Sequence, residues 1–241
     1  MTWHIIEGEA GCAYARDHDC VAIVVDALRA SATAAMLLNV GAVELYMVGT
    51  VEDAFVARAA FPDALLFGER GGLPPKGFDF GNSPREVAAA AGRSIIFTTT
   101  TGSTRVLQAQ GAHAVYMGTT VNALGVLRAV LAHERDIVLI PAGKLDDPEF
   151  DAQEDWIAAS AIAMLADATV EEGALWYREW RQRIELDGVP RLFEAAPHAA
   201  HLRKVDLGED IAFCARMNVT DAVPLAREIT EFGVRMVNAT N

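Results

Sequence analysis

The sequence has 241 residues, 52% of them hydrophobic and 22% charged, with a formal net charge of −13. That composition supports a sizeable core and excludes a disordered chain. The acidic balance, with no basic stripe, excludes a nucleic-acid binder and requires local arginines to hold any anionic ligand.

In chain order, residues 3–7 suggest an edge strand, and the β-branched run 20–25 predicts a strand buried on both faces. An Ala/Leu/Met-rich segment predicts a helix over 32–39 that stops near Gly41. A strand over 43–48, a helix over 52–60 capped by Thr50 and a strand over 65–67 follow. Residues 68–84 then hold five glycines and three prolines, which no helix or strand interior tolerates. Ser83-Pro84 with Glu86 reads as a capping box opening a helix. Beyond it come a strand over 94–97, the run Thr98–Arg105 with a helix through Gln110, a strand over 114–117 and a helix over 122–133. A strand over 136–140, an acidic loop over 145–151 and a helix over 153–166 complete the alternation.

Strands and helices at this spacing predict an α/β fold, a mostly parallel or mixed sheet with helices on both faces in three α/β/α layers. After Asp167 the pattern turns helical: 174–184, two further short helices through 213, a last strand over 219–223 and a helix over 225–232. The expectation is a single α/β domain over 1–241, with 170–241 as its helix-rich C-terminal part. No leader-like charge pattern opens the sequence and no apolar run has membrane-spanning length, so a soluble, cytoplasmic protein without a membrane partner is expected. Cys12, Cys20 and Cys214 lack CxxC spacing and read as reduced, buried thiols. The six histidines lack metal-binding spacing and read as structural or surface groups, although His198 and His201 lie one helical turn apart.

Four polar clusters fall where strands end, the place where open α/β sheets bind ligands. Asp26 can hold a hard cation or act as a base, and Arg29 offers a planar fork for an anion. Ser31 can cap the next helix and donate to the same anion. In the Gly-rich stretch, Glu69, Arg70, Gly71, Gly72, Asn82 and Ser83 form a polar set too rich for a mere connector. Thr99, Thr100, Thr101, Gly102, Ser103 and Arg105 place hydroxyls, backbone N–H groups and a guanidinium at a helix start, a phosphate cradle without the Walker ending. Glu154 and Asp155 open the 153–166 helix, where acidic residues also simply complement the dipole.

These clusters resemble the 2-phosphosulfolactate phosphatase family. The likeness lies in Val24-Val25-Asp26-Ala27-Leu28-Arg29-Ala30-Ser31, Gly68-Glu69-Arg70-Gly71-Gly72 and Gly77-Phe78-Asp79-Phe80-Gly81-Asn82-Ser83-Pro84. It continues through the threonine run, Ala142-Gly143, Glu154-Asp155 and Glu209-Asp210-Ile211-Ala212-Phe213-Cys214. The family usually has Asn and Thr where Thr101 and Ser103 stand, and Cys where Pro141 stands.

The resemblance implies a Mg²⁺-dependent phosphatase of a small phosphomonoester, 2-phospho-3-sulfolactate giving 3-sulfolactate and phosphate in coenzyme M formation. Asp26, Arg29 and Arg70 are the expected catalytic residues. Ser31, Gly71, Gly72, Asn82, Ser83, Thr99–Ser103 and Arg105 are the expected substrate contacts, and Asp26, Glu69 and Asp155 the expected Mg²⁺ ligands. The partner is a small anionic phosphoester, and a homo-oligomer stays open. Two other readings stay open as well: a non-catalytic anion-binding module and a phosphotransferase acting on a related phosphoester.

Overall fold

The computed structural model describes residues 1–145 and 151–240; most of the acidic 145–151 stretch therefore lies outside the described residues. The strands are β1 Trp3–Ile5, β2 Val21–Val25, β3 Glu44–Met47, β4 Leu65–Gly68, β5 Ser94–Thr98, β6 Ala114–Met117, β7 Ile137–Pro141, β8 Pro224–Thr230 and β9 Gly233–Asn238. They form one sheet in the order β1-β7-β2-β6-β8-β9-β3-β5-β4. The first four strands are mutually parallel, as are the last three, and the β8–β9 hairpin joins the blocks through antiparallel pairings with β6 and β3.

The helices are α1 Gly8–Asp17, α2 Ala30–Asn39, α3 Val51–Ala60, α4 Gly102–Gln108, α5 Ala123–Leu131, α6 Gln153–Leu165, α7 Ala174–Asp187, α8 Val189–Ala195, α9 Pro197–Lys204 and α10 Gly208–Cys214. Alternation along the buried strands sorts them into layers. On β2, Ala22 and Val24 face a core shared with α1, α2 and α4, whereas Val21, Ile23 and Val25 face α5 and α6. The same α1/α2/α4 layer covers Leu45, Met47, Ile95 and Phe97 of the second block, and α3 covers that block's other face through Tyr46 and Ile96. The three-layer α/β/α expectation is thus met. Helices α7–α10 extend the α6 layer through Tyr177, Trp180, Phe193 and Leu202. No helix among the described residues is long and apolar enough to cross a membrane.

Four predictions differ, the first being that three short helices, α8, α9 and α10, follow α7 where two were expected. Residues 225–232 are not a helix but most of β8 and its turn, and the expected last strand over 219–223 is irregular chain leading into it. Buried Val234 and Met236 alternate with half-exposed Arg235 on β9, and the pairing of both strands to open sheet edges outweighs the helical spacing of Leu225, Ile229 and Phe232. The capping box at Ser83 opens no helix: the Ser83 hydroxyl donates to Asp210 (2.7 Å), and only a 3-10 turn forms, over Ala88–Ala90. Residues 8–17, left unassigned by pattern, form α1, whose Gly11 has no room for a side chain because an added Cβ would lie 2.1 Å from the Ile6 carbonyl oxygen.

Three successive antiparallel pairings make the second block run against the first. A flat sheet would therefore place the carboxyl ends of β2 and β5 at opposite edges. Twist of roughly 20° or more per strand, accumulated over the five steps between them, turns those ends toward each other. The contacts across the gap show them meeting: Arg29 Nη2 donates to the Gly72 carbonyl (2.8 Å), and Thr33 Oγ1 to the Asn82 carbonyl (3.2 Å).

Candidate active site

The first wall is the turn between β2 and α2. Asp26 Oδ1 accepts from the Ala30 N–H (3.0 Å), and the Asp26 N–H donates to Ser31 Oγ (3.0 Å), which itself donates to the Val24 carbonyl (3.1 Å). These bonds fix the carboxylate at the strand tip. The N-terminus of α4 packs directly on it: a Cβ at Gly102 would lie 2.7 Å from both Asp26 Oδ2 and the Ala30 methyl. Glycine is required there for close approach, not for backbone conformation. The Leu28–Arg29 peptide in this turn is cis. Arg29 is buried and donates to Asp210 Oδ2 (2.6 Å) as well as to Gly72.

The second wall is the Gly-rich loop after β4. Glu69 spans it, with Oε1 accepting from the Thr100 N–H (2.8 Å) and Oε2 from the Gly72 N–H (2.9 Å). Arg70 turns away, donating to the carbonyls of Glu69 (2.6 Å) and Gly49 (3.3 Å) and to Thr98 Oγ1 (2.9 Å). It ties the loop to the strand ends.

The third wall comes from the end of β7 and the start of α6. Gly143 has φ +68, and a Cβ there would meet Glu7 Oε1 at 2.7 Å. Its N–H donates to Asp155 Oδ2 (3.2 Å), while Asp155 Oδ1 accepts from the Ala27 N–H (2.7 Å). The neighbouring Glu154 is buried, and its Oε1 lies 3.2 Å from Nδ1 of His198 on α9.

These walls enclose a cavity of about 370 Å³ lined by Asp26, Leu28, Arg29, Glu69, Gly71, Gly72, Asn82, Thr100, Thr101, Gly143, Lys144, Glu154, Asp155, His198 and His201. Asn82 Oδ1 and Glu154 Oε2, both of lining residues, are buried with no hydrogen-bond partner among the described residues. Burial, followed by the charges of Glu69 and Glu154, pushes the Asp26 carboxyl up to about 6 despite the Ala30 N–H. Burial and then the charges of Glu154 and Asp26 raise Asp155 well above the usual carboxylate range. Burial works to lower His198, but its hydrogen bond to Glu154 and the charges of Glu154, Asp26 and Glu69 hold the imidazole above its ordinary value. A pocket that crowds carboxylates and shifts them this way is the candidate functional site.

A family model described as 2-phosphosulpholactate phosphatase matches residues 11–228. The chain belongs to that family. Three relatives named "Probable 2-phosphosulfolactate phosphatase" illustrate the likeness. The one from Deinococcus radiodurans is 38% identical over 85% of this chain and 86% of its own length. That from Thermus thermophilus is 34% identical over 86% and 88%, and that from Carboxydothermus hydrogenoformans 32% over 86% of each.

Within this family member, the cavity brings together Asp26, Arg29, Glu69, Gly71, Gly72, Asn82, Thr100, Thr101 and Asp155. Other predicted site residues lie behind its walls. Ser31 supports Asp26, Ser83 holds Asp210, and Thr99 and Ser103 exchange backbone-to-side-chain bonds at the start of α4 (both 3.0 Å). Arg105 points away, donating to the Ala142 carbonyl (2.9 Å) and to Gln108 (2.7 Å). Sequence reasoning assigned no site role to His198, His201 or Asp210, and it left Glu154 open between a strand-end ligand cluster and plain dipole compensation. The one available signal was the three-residue spacing of the histidines, which puts both on one face of α9. Their rings are 6.0 Å apart, and both line the cavity.

Proposed function

We propose that the chain hydrolyses a small, multiply anionic phosphomonoester of the 2-phospho-3-sulfolactate type, with Mg²⁺. One observation carries this reading: four carboxylates, one buried arginine and two threonine hydroxyls border a cavity sized for a small molecule where two parallel strand blocks converge. Arg29, Thr100 and Thr101 are the donors for the phosphoryl oxygens, whose charge must be met by preorganised groups. Asp26, a carboxylate on the cavity wall at the tip of β2, is the base that would take a proton from the attacking water. The glycines at 71 and 72 let the loop backbone approach the ligand, and Asn82 Oδ1 offers an acceptor to a substrate hydroxyl or water.

The donor set fits Mg²⁺ in kind, because the acidic groups are oxygen ligands crowded enough to raise one another. Among the described residues no three acidic, histidine or cysteine side chains cluster tightly enough to enclose an ion. Mg²⁺ is commonly held by one or two carboxylates together with water and substrate phosphate, so such a cage is not needed. One or two carboxylates drawn from Asp26, Glu69 and Asp155 would hold it, together with water and the substrate phosphate. Bound there, the ion supplies the positive charge that admits a polyanion into an acidic cavity.

The test is phosphate release from 2-phospho-3-sulfolactate and a panel of small phosphoesters, with Mg²⁺ and with EDTA. Turnover that is lost in EDTA and restored by Mg²⁺ is expected. Saturable binding without phosphate release would favour an anion-binding module. New phosphoesters appearing on addition of alcohols would favour a phosphotransferase, and full turnover in EDTA would remove the metal.

A further inference from the structure

The cavity has two chemically different sides. Asp26, Glu69 and Asp155 come from strand ends, whereas His198 reaches in from α9 and is held by Glu154 of α6, Nδ1 to Oε1 at 3.2 Å. Glu154 is 2% exposed, and among the described residues its Oε2 has no hydrogen-bond partner while its Oε1 faces the His198 imidazole. An imidazole oriented through Nδ1 by a buried carboxylate presents Nε2 as its working atom. The hydrolysis proposed above needs such a group, because the oxygen leaving an alkyl phosphoester is a poor leaving group unless it is protonated as the bond breaks.

We propose that His198 is the general acid of the reaction, donating its Nε2 proton to the departing ester oxygen, with Glu154 as the positioning residue that orients its ring. The inference rests on the phosphomonoesterase reading. The water oxygen bonds to phosphorus as the phosphorus–ester oxygen bond breaks. The electron pair of that bond stays on the ester oxygen, which takes the proton from His198, and the proton of the water passes to Asp26. The products are the alcohol and inorganic phosphate, and the resting state returns when Asp26 gives its proton to solvent and His198 takes one back.

The groups facing His198 support this division. Glu154 from α6, Asp26 from the β2 turn and Glu69 from the Gly-rich loop favour its protonated form. Arg29 and Lys144 line the same cavity, and His201 lies beside it on α9, its own Nε2 3.2 Å from the Gly71 carbonyl. Asp26 from the β2 turn and His198 from α9 thus border one cavity from different elements, as an acid and a base acting on one ester must.

A series of aryl phosphates with graded leaving groups, from 4-nitrophenyl to phenyl phosphate, separates proton donation from simple anion binding, because none carries a second acid group. His198→Gln should lower turnover of phenyl phosphate about 100-fold or more and that of 4-nitrophenyl phosphate only a few-fold, a typical general-acid signature. Equal losses across the series overturn the proposal, since a group that only binds or supports would act on every member alike. Should the variant not fold, wild-type pH–rate profiles decide: an alkaline limb with phenyl phosphate, absent with 4-nitrophenyl phosphate, is expected, and parallel profiles overturn it. Should aryl esters be refused, the variant must lower kcat on 2-phospho-3-sulfolactate with KM unchanged; a raised KM at unchanged kcat overturns it. No phosphate release by the wild type from any ester would fail the phosphomonoesterase reading itself.

Discussion

Asp210→Asn tests how the helical C-terminal region builds the site. Asp210 Oδ2 holds Arg29 at 2.6 Å with both side chains almost fully buried, at 1% and 2% exposed, and Oδ1 accepts from Ser83 at 2.7 Å. The amide keeps the shape and one acceptor but removes the charge, leaving the Arg29 guanidinium uncompensated. Breaking one partner of a buried ion pair costs about 3–5 kcal/mol. Arg29 borders the cavity, where water can reach it, so the lower end, about 3 kcal/mol, applies. For a chain of this length that is a fall in Tm of roughly 6–12 °C. Thermal melts at pH 7 measure it, with kcat/KM on a hydrolysed phosphoester falling at least about tenfold as Arg29 loses its orientation. The double variant Arg29→Met with Asp210→Leu should melt above the single variant while remaining inactive, because an apolar pair avoids the desolvation cost. A Tm change under about 2 °C with unchanged kcat/KM would refute the reasoning, since a buried pair cannot lose its charge so cheaply.

Gly102→Ala should cut activity by at least about tenfold and lower Tm, since the methyl would press on Asp26 Oδ2 and Ala30 at 2.7 Å; wild-type turnover in a folded variant would show that α4 need not approach Asp26. In EDTA, Asp26→Asn should match the wild type below about pH 4 and be more stable above about pH 6. The sign follows from a folded pKa raised from 3.8 to about 6: the neutral acid is the form the fold favours, so its contribution is complete at low pH and lost as pH rises through 6. A stability gap that does not open across this window in denaturant titrations would contradict the burial of that carboxyl. Arg70→Ala should lower activity and loosen the Gly-rich loop, seen as faster amide exchange over residues 68–73, whereas exposed Lys76→Ala should leave both unchanged; equal effects would remove the loop anchor.

Much of the fold was readable in local pattern. The runs at 20–25 and 136–140 are apolar on both faces because β2 and β7 sit inside the sheet, and Thr50 caps α3 through a reciprocal bond with Asp53, as its spacing suggests. Glycine, carboxylate and hydroxyl clusters at strand ends marked Asp26, Glu69, Thr100 and Asp155, because those residue types are needed where backbone ends and ligands begin. Partner choice was not readable. Arg29, Arg70 and Arg105 look alike as guanidiniums near loops, yet only Arg29 faces the cavity, since which carbonyls lie within reach depends on distant segments. The same holds for Ser83, whose hydroxyl is taken by Asp210 from 127 residues away instead of capping a helix. Residues 225–232 carry a pattern compatible with helix or strand, and the unpaired edges of β6 and β3 decide for strand. That hairpin reverses one parallel block against the other, and the accumulated twist brings their ends, and His198 from the far helices, around one cavity. Sequence set the local conformations and supplied the chemistry; tertiary pairing alone determined which of those groups would meet.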